Sequence, residues 1–295
     1  MKEHRASATA LFVATCRGLA PLLPRGARLV EDPFGARVLH PRLGEAVEAL
    51  ARAPALVRAA AWGPLLPMLP WTIYMQVRTR ALDDVLRRFI GGGGRQVVIL
   101  GAGFDARASR LRADLHGARV FEVDHPATQA AKRARFGPGH DVRYLAWDFE
   151  RDPLSVLPPR LGSIGHDPAE PTLTLWEGVT MYLTRDAIAA TLDAVRAYSA
   201  PGSRLAFNYL DARFLARPGA LGALTAAAVR VLGEPFRGGF HPDALRELLR
   251  AHGFSVESDR SFEALARAML GRPWSWPVRE SRRMAVGERT ATVTV

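Results

Sequence analysis

Residues 97–107 read Val-Val-Ile-Leu-Gly-Ala-Gly-Phe-Asp-Ala-Arg, and no other stretch constrains the fold as tightly. A short apolar run rich in β-branched residues makes a strand buried on both faces, and such strands belong to parallel sheets covered by helices. The glycines after it allow a tight turn and let a cofactor approach the backbone before a helix begins. Gly101, Gly103 and Ala106 satisfy G-x-G-x-x-A, the dinucleotide form of this turn. Asp124 follows about 20 positions later, where an acid can hold a ribose diol. Taken alone, the turn suits a dinucleotide or another adenosine cofactor, and a plain strand-to-helix turn with no ligand is the bland alternative.

The rest of the chain agrees with an α/β fold. Residues 1–90 show helical periodicity broken by proline, and are expected to form a helical head or cap. From residue 91 short β-branched runs alternate with helical stretches, the pattern of a sheet with crossover helices. Strands are expected at 96–100, 119–123, 142–146, 172–176 and 204–209, then 254–259, with a terminal strand at 289–295. Helices are expected at 105–113, 126–136, 185–199 and 243–252, with a helical insertion near 211–240. Residues 91–294 and the final Val295 would thus form one cofactor-binding domain.

Composition excludes several classes. With 295 residues and 48% hydrophobic content the chain can bury a substantial core, so global disorder is excluded. Cys16 is its only cysteine, which excludes a disulfide framework and cysteine-rich zinc sites. No metal site is expected, since the histidines show no paired ligand spacing. The most apolar stretch, 55–75, contains Arg58, Pro64, Pro67 and Pro70, so no spanning helix is expected. No signal-like apolar run follows the charged first residues, and a soluble cytoplasmic protein is the expectation. The net charge of +11 would attract polyanions. Its arginines are scattered as singles and pairs, however, so no specific nucleic-acid partner is expected.

The carboxylates choose between cofactors. Asp105 sits in the turn where a dinucleotide would place its pyrophosphate, and a carboxylate there repels phosphate. S-adenosylmethionine carries no phosphate, and acids suit its ammonium and ribose. Glu122, Asp124, Asp148 and Glu177 fall at the expected C-terminal ends of strands, where open α/β sheets bind ligands. Each singly has the bland reading of a solvated acid; together, in register, they outline a site.

At these residues the sequence resembles the leucine carboxyl methyltransferase family of class I S-adenosylmethionine-dependent methyltransferases, most of all its bacterial branch of polyketide O-methyltransferases. The resemblance is carried by RTRALDD (78–84), QVVILGAGFDAR (96–107), FEVDHPATQAAKR (121–133), WDFERDPL (147–154) and WEGVTMYLT (176–184), with VEDPFGARVL (30–39) upstream. It implies a Rossmann-like sheet, mostly parallel with an antiparallel terminal strand. It also implies S-adenosyl-L-methionine as cofactor, with roles for individual residues. Arg78 would meet the cofactor carboxylate; Gly101, Ala102, Gly103 and Asp105 would form the turn under the methionyl end. Asp124 with His125 would take the ribose side, Asp148 and Phe149 would frame the adenine, and Glu177 would contact the amino-acid end. Tyr182 would point at the transferred methyl, its bland alternative being a packing tyrosine. Family members also place a basic residue near the N-terminus on the cofactor, and Lys2, Arg5 and Arg17 compete for that position. Where the family has threonine or serine after the turn aspartate, this chain has Ala106.

Transfer of a methyl from a sulfonium is an in-line displacement that discharges a cation, so alignment matters more than acid–base chemistry. A carboxylate acceptor needs no base, and no general base is assigned. The expected acceptor is a carboxylate or phenol on a small apolar molecule. Its pocket is expected from the proline-rich segment 62–74, the insertion around 214–240 and Trp274–Trp276. Segment 62–74 would act as a lid, or else pack the head onto the sheet. Rival readings are an NAD(P)-dependent oxidoreductase, an N- or C-methyltransferase on the same fold, and a non-catalytic protein. The oligomeric state is left open.

Overall fold

The computed structural model describes residues 8–137, 142–149, 151–216, 227, 230, 235–271 and 282–291. Seven strands form one sheet: β1 (Gln96–Leu100), β2 (Arg119–Asp124), β3 (Val142–Ala146), β4 (Thr172–Trp176), β5 (Arg204–Leu210), β6 (Phe254–Ser261) and β7 (Arg282–Arg289). Their order is β3-β2-β1-β4-β5-β7-β6, with β1 to β5 parallel and β7 antiparallel to both neighbours. The α/β expectation, with an antiparallel terminal strand, is met.

The first helices, α1 (Ala8–Gly18), α2 (Pro41–Arg52) and α3 (Ala55–Leu65), build the head. Leu19, Leu22, Leu23, Leu39, Val47, Trp62 and Ile73 form its apolar cluster. Gly18 meets Gly35 there so closely that a Cβ on Gly18 would stand 2.7 Å from the Gly35 carbonyl oxygen. The long helix α4 (Leu69–Gly91) then joins head to sheet. It starts with Pro70 in its first turn, a position where the missing N–H costs nothing. Nearly every residue of α4 from Thr72 to Ile90 that is not charged is buried, because the head covers one side and the sheet the other.

Both faces of β1 are covered, which explains its unbroken apolar run. Val97 and Ile99 pack with Leu82, Val85, Leu86 and Phe89 of α4. Val98 and Leu100 pack on the opposite face with Leu192 and Val195 of a later helix. After β1 come α5 (Arg107–Arg110), α6 (Arg112–Leu115), α7 (Pro126–Phe136), α8 (Leu157–Ser163) and α9 (Arg185–Tyr198). These are followed by α10 (Ala212–Ala216), α11 (Pro242–Ala251) and α12 (Phe262–Leu270).

Three expectations are adjusted. The helix foreseen over 105–113 begins at Arg107, because the Asp105 carboxylate accepts from the Arg107 backbone N–H at 2.7 Å. It is also broken at Leu111 into two short helices. The last strand among the described residues lies at Arg282–Arg289, ending where the foreseen 289–295 begins. Pairing with β5 on one side and β6 on the other holds Arg-Arg-Met-Ala-Val-Gly-Glu-Arg in the sheet, a segment with little β propensity of its own. Residues 292–295 lie outside the described residues, as do Trp274–Trp276, most of the 211–240 insertion, Lys2 and Arg5. No helix among the described residues is long and apolar enough to cross a membrane.

Candidate active site

The strand ends of β1, β2 and β4 meet at one edge, and β1 lies between the other two in the sheet. The glycine turn leaves β1 there. Gly101 and Ala102 donate to the Val123 carbonyl at 2.8 and 3.3 Å, so the turn folds over β2. Gly101 and Gly103 adopt φ of 65° and 52°, a region that disfavours any side chain. A Cβ on Gly101 would also stand 2.7 Å from Val179 Cγ2.

Asp124, ending β2, is held against this turn. Its carboxylate accepts from the Gly103 N–H and, at 2.6 Å, from the His125 N–H. Burial pushes its carboxyl above the usual aspartate range, opposed by these two backbone donors. A carboxylate offers about four acceptor positions, so two remain for a diol. His125 caps α7, its Nδ1 accepting from the Ala127 N–H at 3.2 Å. That assigns the proton of the neutral ring to Nε2, which faces the Asp148 carboxylate at 3.8 Å. Asp148 and Phe149, following β3, are both half-buried beside it. Glu122 belongs elsewhere: fully buried, it is paired to Lys132 of α7, and so leaves the group of strand-end acids facing the edge.

On the other side of β1, Glu177 follows β4. Its Oε1 accepts from Arg78 Nε at 2.7 Å and its Oε2 from Arg107 Nη2 at 3.0 Å. All three side chains are buried, with exposures of 9%, 7% and 1% for Glu177, Arg78 and Arg107. Burial alone would raise the Glu177 carboxyl, but Arg78, Arg107 and Arg17 outweigh it and hold it well below the usual range. Arg107 is the hub: it also binds Asp83 at 2.8 Å and Asp105. Asp83 in turn binds Arg110 at 2.6 Å. Asp105 therefore spends its carboxylate on Arg107, accepting from both its backbone N–H and its guanidinium. Arg107 stood inside the GAGFDAR motif yet was not singled out from sequence, since nothing in its spacing reveals three carboxylates arriving from α4, the turn and β4.

Among the competing N-terminal basic residues, Arg17 reaches this edge. It donates to the Phe104 carbonyl at 3.0 Å and lies 3.8 Å from Asp32. Helix α1 crosses the turn, so that a Cβ on Gly103 would lie 3.3 Å from Ala10 Cβ. Tyr182 is half-buried in a 3-10 turn after Glu177 and stacks on Phe236 with ring centroids 5.7 Å apart. Within segment 62–74, Trp62 donates to the Leu22 carbonyl at 3.1 Å inside the head, whereas Trp71 and Tyr74 turn toward the strand ends. A separate cavity of about 540 Å³, lined by Arg112, Arg119 and Arg143, opens at the opposite ends of β2 and β3 and shares none of these residues.

Comparison with known proteins places the chain in a family. The family model for leucine carboxyl methyltransferase matches residues 10–196, more than half of the chain. A protein of Saccharopolyspora erythraea, provisionally named an S-adenosyl-L-methionine-dependent methyltransferase, is 33% identical over 268 residues, covering 85% of this chain and 84% of its own. A Streptomyces avermitilis protein with the same provisional name is 34% identical over 212 residues, covering 70% of each chain. Among solved structures, a duf574 family protein from Streptomyces avermitilis superposes with a TM-score of 0.60 at 16% identity, covering 96% of this chain and 98% of the other. A provisionally assigned methyltransferase from Thermobifida fusca gives 0.58 at 20% identity, covering 93% and 98%. At such identities the structural matches speak for the fold alone. The sequence matches reach further, and by them the chain belongs to the leucine carboxyl methyltransferase family of S-adenosyl-L-methionine-dependent methyltransferases.

Proposed function

We propose that this chain transfers the methyl of S-adenosyl-L-methionine to an oxygen, a carboxylate or a phenol, of a small apolar acceptor. The observation that carries the reading is the pairing of two unlike sites across β1. On one side is Asp124, with acceptor positions to spare; on the other is the buried Arg78–Glu177 ion pair. The cofactor has a matching polarity, a diol toward one end and a zwitterion at the other. A zwitterion laid against an ion pair puts each charge beside its opposite, its carboxylate on Arg78 and its ammonium on Glu177.

The other residues support that division. Gly101 and Gly103, with the small Ala102 between them, keep the turn nearly bare where the ligand would lie, and a Cβ on Gly101 would run into Val179. Asp148, Phe149 and His125 would bound the adenine side, the ring of Phe149 giving a face and Asp148 an acceptor for an exocyclic amine. Asp105 works through Arg107, setting the guanidinium that holds Glu177. When bound, the cofactor supplies an electrophilic methyl on a sulfonium. The chain's own part is to align an acceptor with it and keep water out. Tyr182 would stand at that junction, its ring positioned by Phe236.

Calorimetric titration with S-adenosylhomocysteine, with NADPH in parallel, tests the cofactor. Micromolar binding of S-adenosylhomocysteine alone is expected, and binding of NADPH in its place refutes the reading. Carboxylic acids and phenols are then screened with methyl-labelled cofactor, and the labelled atom in the product decides oxygen against nitrogen or carbon.

A further inference from the structure

Four arginines are buried among the described residues: Arg17, Arg78, Arg107 and Arg282. Three of them spend their charge inside the protein, as described above. Arg282, the first residue of β7, forms no ion pair among the described residues, and its Nε is buried without a hydrogen-bond partner. The next residue makes the contrast: Arg283 binds Asp259 at 2.9 Å and Tyr209 Oη at 3.0 Å.

Aromatic rings surround Arg282 instead. Its Cζ lies 5.1 Å from the ring centroid of Tyr74, 5.2 Å from Trp71 and 6.0 Å from Phe236. A ring supplies no lone-pair acceptor in the plane of the guanidinium, and among the described residues the buried Nε finds none. A charge in an apolar box with an unspent donor edge is costly until an anion completes it.

A second unspent donor stands nearby. Asn208 is 2% exposed; its Oδ1 accepts from the Gly178 N–H at 2.6 Å, and its Nδ2 has no partner. In the β5–β7 register Leu210 lies opposite Arg282 and Asn208 opposite Met284. Asn208 and Arg282 therefore share a sheet face as diagonal neighbours, about 7–8 Å apart at the backbone.

The position relates both donors to the candidate active site. The Tyr74 ring that packs on Arg282 also carries the Arg78 guanidinium at 5.5 Å. The Phe236 ring that packs on Arg282 stacks on Tyr182 at 5.7 Å. One ring thus separates Arg282 from the Arg78–Glu177 pair, and one ring separates it from Tyr182.

We infer that Arg282, with Asn208 beside it, anchors a carboxylate on the methyl acceptor, while Trp71, Tyr74 and Phe236 line the berth of its apolar body. Naming the bound molecule an acceptor rests on the methyltransferase reading; the anion site itself does not. The anchored carboxylate is a handle distinct from the methylated atom. An oxygen held by a guanidinium is a poor nucleophile, and Tyr182, which the methyltransferase reading sets beside the methyl, stands on the far side of Phe236. The acceptor class is accordingly an apolar acid carrying a second oxygen, such as a hydroxyl on an aromatic ring. Two parallel N–H···O bonds from the fork would read the carboxylate and reject a neutral analogue.

The test compares para-hydroxyphenylacetate with its neutral primary amide, titrated at pH 7 into the full chain with and without S-adenosylhomocysteine and followed by tryptophan fluorescence and calorimetry. The acid is expected to bind at least about tenfold more tightly than the amide. In Arg282→Gln that preference should shrink to about twofold or less, with S-adenosylhomocysteine affinity kept, and Arg282→Lys should restore only part of it. Equal binding of acid and amide to the wild-type chain, no binding of the acid, or an undiminished preference in Arg282→Gln overturns the inference. Should Arg282→Gln not fold, the wild-type comparison still decides it. Binding of S-adenosylhomocysteine without acid preference removes this inference alone. Acid preference without S-adenosylhomocysteine binding keeps the anion site and removes the methyltransferase reading.

Discussion

Glu177→Gln isolates one buried charge at the centre of the site. The substitution keeps the side chain's volume and one acceptor oxygen, and removes the negative charge shared by Arg78 and Arg107. The two arginines do not lose equally. Arg107 retains Asp83 and Asp105, whereas Glu177 is the carboxylate that pairs with Arg78. What the variant leaves uncompensated is therefore about one buried guanidinium, and removing one partner of a buried pair costs about 3–5 kcal/mol. The pH dependence gives a second readout. Glu177 has a depressed carboxyl pKa in the folded chain. Its stabilisation is thus complete above the unfolded value of about 4.3 and is lost as pH falls toward the folded one. The wild-type advantage should hold from pH 7 to pH 5, then narrow by about 1 kcal/mol at pH 3.5, at roughly 1.4 kcal/mol per unit over about 0.8 unit. Urea unfolding of the cofactor-free chain, followed by fluorescence and circular dichroism at the three pH values, measures both. A gap under about 1 kcal/mol at pH 7, or one that widens on acidification, would refute the account of Glu177 as a paired buried anion.

Asp124→Ala should weaken S-adenosylhomocysteine binding by tenfold or more, about 1.4 kcal/mol, in calorimetry; unchanged affinity would show that the ribose end lies elsewhere. Gly101→Ala should abolish cofactor binding and lower the melting temperature, because a left-handed residue costs about 1–2 kcal/mol and its methyl would strike Val179. Tyr182→Phe should leave S-adenosylhomocysteine affinity intact and reduce turnover of an identified acceptor, a split that a packing role would not produce. Burial pushes the Cys16 thiol up to about 12 despite Arg78 and Arg17 nearby, so it should resist thiol reagents at pH 8 and react fully only on unfolding. Rapid labelling of the native chain would contradict the packing of α1.

Much of this protein could be read along the chain because its signals are local. A strand buried on both faces favours a continuous apolar run, so β1 announced itself, and the glycine turn followed from where β1 stops; β2, β4 and β5 were legible as short runs rich in β-branched and aromatic residues. Asp124, Asp148 and Glu177 could be placed at strand ends from the sequence because strand ends converge on one edge in any open α/β sheet. Tertiary structure decided what depends on partners distant in sequence. Glu122 and Asp124 are two residues apart on one strand, yet Lys132 draws the first into the interior while Gly103 holds the second at the edge. Asp105 was legible as an acid in a turn, but its partner Arg107 became a hub only when α4, the turn and β4 came together. Strand β7 took its place from pairing with β5 and β6 more than from its own propensity. Arg282 is the extreme case: one of many scattered arginines in the sequence, it becomes distinctive only because the fold buries it among rings and, among the described residues, brings it no anion. Sequence records which residues carry charge, and desolvation, which depends on everything packed around them, determines which of those charges must find a partner.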